Sequence, residues 1–275
     1  MRSPVFFGGF NLARLCPLFS GSSGNSYYIG NQTDGILIDV GRSARQTVQM
    51  LDSCGIAVSQ IKGIFITHEH SDHVKGLRVF ASKYHIKVYA SPGTLGALEQ
   101  MGILTDQYPA EEIGLEGIEC GGMMVKPFLT SHDCAQGYGY TVQTSDDRKI
   151  TVSTDLGVVS DHVREHLCGS DMVVLESNHD VGMLRNGSYP YPLKRRILSD
   201  LGHLSNQSCA EEISALVKGG TPRFLLAHLS RENNTPEIAY QTAICALTME
   251  GMKPELDFQL GIAPVENRTG KTIIF

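Results

Sequence analysis

No run of about 18 consecutive uncharged apolar residues occurs in the 275-residue sequence, which excludes a membrane-spanning helix. Val5, Phe6, Phe7 and Phe10 make the N-terminus apolar, but Arg14 interrupts them and no small-residue cleavage site follows. No signal peptide is expected there. The seven cysteines (Cys16, Cys54, Cys120, Cys134, Cys168, Cys209 and Cys245) form no CxxC pair, and their number is odd. A chain this long does not depend on disulfide staples, so buried, small apolar thiols in a reducing, cytoplasmic setting are expected. Basic charge is scarce too: 23 Lys and Arg stand against 29 Asp and Glu, a net of -6. Non-specific affinity for nucleic acid comes from cations that neutralise phosphates, so this chain is a poor generic binder. A phosphodiester substrate would need bound cations to supply the missing charge. Short-period repeats, low-complexity tracts and linkers are also missing. What is present is ordinary for a packed protein: 41% hydrophobic and 19% charged residues, incompatible with wholesale disorder.

Apolar runs and turn signals alternate along the chain. Ile36–Ile38 is a short run ending at Asp39-Val40-Gly41, followed by Ala44, Val48 and Leu51 on one helical face, closed by Gly55. Gly63–Thr67 reads as a buried strand, and Val74, Leu77, Phe80, Ala81 and Tyr84 as the next helix. After a strand at 87–90, Ser91-Pro92 opens a helix as N-cap and first-turn proline. The middle is β-rich, with strand-like runs at 123–129, 138–143 and 149–153. Helices are then expected at 160–168, 205–218 and from Thr235-Pro236 to Gly251, with strands at 171–177 and 223–230. This order predicts an α/β protein, a single domain over 1–275 built of two similar halves with sheets inside and helices outside. Residues 1–10 read as an extension.

The decisive segment is Thr67-His68-Glu69-His70-Ser71-Asp72-His73. Three histidines and an aspartate crowd into six residues directly after a hydrophobic strand, where a tight loop lets them converge on one point. Imidazole and carboxylate suit zinc, manganese or iron. Two ions would divide the set, His68 and His70 on one and Asp72 and His73 on the other, and would need further ligands. His132, Asp155 and His228 each follow an apolar run and are therefore expected at the same sheet edge. By contrast His162 and His166, four apart on a helix, read as an exposed face.

This HxHxDH pattern with single His, Asp and His at later strand ends resembles the metallo-β-lactamase-fold hydrolase superfamily. Ser20-Gly21-Ser22-Ser23-Gly24-Asn25, Leu175-Glu176-Ser177-Asn178-His179-Asp180, Gly202-His203-Leu204-Ser205-Asn206 and His228-Leu229-Ser230-Arg231-Glu232-Asn233-Asn234 extend the resemblance to its YycJ (WalJ/VicX) branch, over about residues 12–250. The resemblance implies a four-layer αβ/βα sandwich with two divalent metal ions, manganese or zinc, at the edge between the sheets. It assigns His68, His70 and His132 to one ion, Asp72, His73 and His228 to the other, and Asp155 between them. Asp39 matches an aspartate that supports the ligand loop and fixes an imidazole tautomer. A water shared by two such ions loses its proton near neutral pH and becomes the nucleophile.

The metals alone do not name the substrate. His203 resembles the histidine that, in phosphodiesterase members, serves the leaving oxygen as acid or contacts the phosphate, and Glu176 its acidic partner, which would keep it protonated. With Asp72, these are the residues expected to carry the chemistry. His179 and Asp180 are expected beside the same site. Ser22, Ser23 and Asn25 offer backbone N–H and hydroxyl groups to an anion, and Ser205, Asn206, Arg231 and Asn233 are further expected substrate contacts. Lys194-Arg195-Arg196, on a predicted helix, is the best basic run for tracking a nucleic-acid backbone. The 73 positions from Asp155 to His228 leave room for two helices and a strand, too few for the inserted cap of β-CASP nucleases. The branch implies a 5′-to-3′ exodeoxyribonuclease acting on double-stranded DNA ends. An RNA or small-molecule phosphodiesterase on the same site stands as the alternative, ahead of a thioester hydrolase or a catalytically silent scaffold.

Overall fold

The computed structural model describes residues 12–275; the extension expected over 1–10 lies outside the described residues. The chain begins with β1 (Arg14–Phe19), β2 (Ser26–Gly30) and β3 (Gly35–Ile38), then α1 (Ala44–Ser53) and β4 (Ile61–Phe65). Next come α2 (Ser71–Val74), α3 (Leu77–Tyr84), β5 (Val88–Ala90), α4 (Pro92–Gln100) and β6 (Ala110–Glu112). The second half holds β7 (Ile118–Cys120), β8 (Met123–Leu129), β9 (Tyr138–Gln143), β10 (Lys149–Ser153), α5 (Asp161–Leu167) and β11 (Met172–Glu176). It continues with α6 (Val181–Asn186), α7 (Tyr191–Ile197), α8 (Asn206–Lys218), β12 (Arg223–Ala227), α9 (Pro236–Met249) and β13 (Gln259–Ile262), and β14 (Ile273–Ile274) closes the chain.

Among the described residues these strands form two seven-stranded sheets, ordered β14-β1-β2-β3-β4-β5-β6 and β13-β12-β11-β10-β9-β8-β7. Each sheet turns from antiparallel to parallel pairing at the strand that opens its βα units, β3 in the first and β10 in the second. Side-chain alternation decides the layers. Ile36 and Ile38 of β3 join Val125, Tyr140, Val142, Ile150, Val152 and Val174 in a core between the sheets. Leu37 points the other way, onto the layer of α1, α3 and α4 with Met50, Leu51, Phe80 and Leu98. In the second sheet Val173, Leu175, Phe224 and Leu226 face outward against Ile213, Leu216, Ala243 and Leu247 of α8 and α9. Strands buried on both faces explain why their sequences read as continuous apolar runs. The result is a four-layer αβ/βα sandwich.

Several elements differ from the sequence reading. The single helix expected from Val74 to Tyr84 is broken into α2 and α3 at Gly76, where a side chain would sit 1.9 Å from the Arg42 carbonyl oxygen. The strands β1, β2, β6, β7, β13 and β14 are not among those read from the sequence. Between Asp155 and His228 lie the four helices α5, α6, α7 and α8 and the two strands β11 and β12, more than the two helices and a strand that the spacing suggested. Cys168 and Cys245 are exposed rather than buried, one capping α5 and one on the outer face of α9; Cys134 is half-buried, and no disulfide joins any of the seven. No helix among the described residues is long and apolar enough to cross a membrane.

Candidate metal centre

The first half supplies its donors from one place. β4 ends at Phe65, and the chain runs through Thr67 and His68 into α2, whose first turn carries Asp72 and His73. The expected tight loop therefore contains one helical turn, with His70 as its N-cap. Asp39, just past the neighbouring β3, organises this segment. Its Oδ1 accepts the Thr67 N–H (2.8 Å) and its Oδ2 the Thr67 hydroxyl (2.8 Å), while His73 Nδ1 lies 2.7 Å from Oδ2. Nδ1 of His73 thus carries its proton toward Asp39, leaving Nε2 for the site. Gly41 lets the two segments touch: a side chain there would meet the Asp72 carbonyl oxygen at 1.8 Å.

The second half supplies donors from separate strands. His132 follows β8, Asp155 follows β10 and His228 follows β12. The parallel pairing of β10, β11 and β12 sets Ser153 beside Leu175, and Leu175 beside Leu226, so Asp155, Glu176 and His228 emerge at one edge. Asp39, Asp155 and His228 all hold positive φ (62°, 57° and 53°), a conformation that costs non-glycine residues of order 1–3 kcal/mol and clusters at functional sites. Among the contacts that join the halves, the Tyr138 N–H donates to the Thr67 carbonyl (2.9 Å), the Tyr140 hydroxyl to the Ile66 carbonyl (2.7 Å) and the His228 N–H to the Ser20 hydroxyl (2.9 Å).

The donor atoms converge in overlapping groups: His68, His70 and His132; Asp72, His73 and His228; and His68, His73 and Asp155. His132 Nδ1 donates to the Gly202 carbonyl (3.0 Å), so Nε2 is its lone-pair nitrogen, 3.3 Å from His70 Nδ1. Asp155 Oδ2 approaches His228 Nδ1 to 2.9 Å and His73 Nε2 to 3.1 Å. Yet these close approaches are not properly directed: Asp155 Oδ2, His228 Nδ1 and His68 Nε2 are buried without a well-aligned hydrogen bond, an expensive arrangement unless a cation takes up their lone pairs. Burial alone would hold His73 and His228 below the ordinary imidazole range. Asp155, with Asp39 and Asp72 for His73, raises both well above it. The pocket favours positive charge, and its imidazole and carboxylate donors fit a divalent transition metal.

Beside these donors, His203 Nδ1 lies 2.8 Å from Glu176 Oε1. Burial would raise the Glu176 carboxyl, but His203 opposes it and the group is held down at about 2. Burial works against the His203 cation and Glu176 for it, with a net upward shift. His203 opens on a cleft of about 230 Å³ that it shares with His70, Asp72, Asp155 and His228. A model of the beta-lactamase superfamily domain matches residues 35–229. The chain belongs to the metallo-β-lactamase-fold superfamily.

Within this family of metal-dependent hydrolases, the chain is 39% identical over 236 residues to exodeoxyribonuclease YycJ of Bacillus anthracis, covering 85% of this chain and 89% of that protein. It is 37% identical over 247 residues to exodeoxyribonuclease WalJ of Streptococcus pneumoniae, covering 88% and 91%. The fold is shared with YhfI of Bacillus subtilis (TM-score 0.71, 11% identity, 96% of this chain and 100% of that one) and with the short form of human tRNase Z (TM-score 0.62, 19% identity, 94% and 98%).

The remaining residues singled out from the sequence divide sharply. Ser22 lines the cleft, and Ser23 accepts hydrogen bonds from two arginines. Asn25 is buried and tied to the donors, its amide 3.3 Å from Asp72 Oδ2 and 3.0 Å from His73 Nε2. Other side chains expected at the substrate are engaged elsewhere. Ser205 caps α8 by accepting the Ser208 N–H (3.1 Å), and Asp180 caps α6 through the Met183 N–H (2.7 Å). Asn206 is locked in a buried network with Ser177 and Asn234. Asn233 is 1% exposed; its backbone carbonyl supports the start of α6, while its side-chain Nδ2 is buried without a hydrogen-bond partner. His179 is likewise buried, its imidazole depressed to about 4 by burial. In the basic run, Lys194 donates to the Arg185 and Gly187 carbonyls, Arg195 is exposed, and Arg196 pairs with Asp133 at the cleft. His162 and His166 stack edge-on, away from every donor group. Tyr189, Leu193, Asn178 and Ser230 also line the cleft. Asn178 and Ser230 lie within segments that carried the resemblance; Tyr189 and Leu193 had no signal in the sequence.

Proposed function

We propose that this chain is a metal-dependent exodeoxyribonuclease that degrades double-stranded DNA from its 5′ ends, with two divalent ions, manganese or zinc, at the edge between the sheets. The observation that carries the reading is His203, held from behind by buried Glu176 and opening on the same cleft as the donors, in a chain whose relatives are named exodeoxyribonucleases. One ion would be held by His68, His70 and His132 and the other by Asp72, His73 and His228, with Asp155 between them. Bound divalent ions supply Lewis-acid polarisation of a phosphodiester and an ionised water as nucleophile. The chain does the positioning. Asp39 and the Gly202 carbonyl orient His73 and His132, and Asn25 steadies the Asp72 segment. His203, its Nδ1 engaged by Glu176, holds a proton at Nε2 for the departing oxygen.

An acidic chain neutralises few phosphates, so attack at ends follows from the small cleft and scarce basic surface. The test is time-resolved digestion of matched closed-circular, linear and 5′-blocked duplexes in manganese, with and without a chelator. The linear duplex should be consumed while the circle survives, and the chelator should stop the reaction. Rapid loss of the circle rejects exonuclease action. Inertness toward all three, with hydrolysis of RNA or a small phosphodiester, promotes the alternative.

A further inference from the structure

The loop Ser20–Asn25 links the donors to a second group of side chains. Ser22 faces the cleft, and one residue on, Ser23 Oγ accepts from Arg42 Nη2 at 2.8 Å and from Arg231 Nη2 at 2.7 Å. These arginines come from opposite halves of the chain, Arg42 from the turn before α1 and Arg231 from the segment after β12. Two guanidinium groups on one neutral hydroxyl repel each other, and the carboxylate at hand is already shared. Glu266 lies 3.6 Å from Arg42 and accepts from Arg268 at 2.9 and 2.7 Å. Arg42, Arg231 and Arg268 thus gather around Ser23 and Glu266, a concentration of guanidinium groups in a chain whose net charge is -6.

Arg42 is not a free surface cation. Its side chain is 14% exposed, lies 5.6 Å from the Phe19 ring centroid, and has a buried Nε without a hydrogen-bond partner. Gly24 makes room for it, since a side chain there would sit 2.7 Å from Arg42 Cδ. Planar guanidinium forks held side by side match the oxygens of a phosphate.

We infer that Arg42 and Arg231, gathered on the Ser23 hydroxyl, form a binding site for a phosphate group of the nucleic-acid strand beside the scissile position. This rests on the phosphodiester reading above and adds to it the contact that sets the strand's position. The phosphate comes from one of two sources: a terminal 5′-monoester, the more highly charged, or an internal diester.

The test measures binding of short duplexes with phosphorothioate ends, carrying a 5′-phosphate or a 5′-hydroxyl, to the metal-loaded protein by fluorescence anisotropy across a salt series. Arg42→Ala and Arg231→Ala should each weaken binding about tenfold or more and flatten the salt dependence by about one counterion. Arg42→Lys should recover the slope without the full affinity. Arg148→Ala, which removes the same charge from the remote pair with Asp171, should leave both at wild-type values. A loss confined to the 5′-phosphate duplex assigns the terminal monoester, and an equal loss on both assigns the internal diester. Wild-type affinity and slope in both alanine variants, with unchanged melting curves, overturns the site. If Arg42→Ala does not fold, the exposed Arg231 carries the test. Calorimetric titration with inorganic phosphate separates the two readings. Phosphate binding lost in Arg231→Ala, in a protein that binds no duplex, keeps the site and removes the nuclease. Absence of both kinds of binding removes both.

Discussion

The two halves of the molecule carry the same layered plan but build their shares of the site in opposite ways. The first sheet concentrates His68, His70, Asp72 and His73 in one segment after β4, fastened from behind by Asp39. The second sheet delivers His132, Asp155 and His228 singly, from the ends of three different strands. A local cluster needs only its own turn to converge. The dispersed set depends on strand register, on positive φ at Asp155 and His228, and on the contacts from Tyr138 and Tyr140 that press the sheets together at this edge. The second half should therefore be the more sensitive to single substitutions.

The strongest challenge to that contrast is Asp155→Ala. It removes the fully buried carboxylate that approaches His73 of the first half and His228 of the second. Bound metal should fall sharply and activity should drop to background; wild-type metal content by elemental analysis would show that the halves assemble their donors independently.

His203→Ala should come next, retaining metal while losing roughly 10²–10⁴-fold in turnover, the scale of a lost general acid. Metal content falling in step with activity would make His203 a ligand instead. On the first-half side, Asp39→Asn keeps the shape but weakens the hold on His73 Nδ1. It should cost about 10–100-fold in metal affinity, measured by competition with a chelator, and no change would mean the cluster converges without its support.

The smallest effect is expected from Ser205→Ala, which removes the α8 cap. Thermal or chemical unfolding should show a loss of about 1 kcal/mol with turnover intact. Unchanged stability with impaired turnover would return Ser205 to the substrate.

These experiments probe a boundary already visible in the residues. The HxHxDH segment announced itself because its chemistry is dense over six positions, and strands such as β11 and β12 because burial on both faces leaves uninterrupted apolar runs. Ser205, Asp180 and Asn206 sit in segments that match the branch, yet a motif does not tell which of its polar side chains turn inward to cap helices and fill networks. Tyr189 and Arg42 show the reverse: isolated in sequence, they reach functional ground only because α6–α7 and the turn before α1 are folded against the cleft and the Ser20–Asn25 loop.

What the sequence determined by itself was the donor chemistry and the layered α/β plan, because residue type sets ligand preference and apolar periodicity sets which faces must be buried. Tertiary structure gave the donor sets and the Glu176–His203 pair, both implied by the resemblance, their actual approach across the sheet edge, and it alone decided that Arg42 and Arg231 meet on Ser23. Those meetings depend on parallel register, strained turns and packing between residues as much as 208 positions apart, distances over which local pattern carries no information.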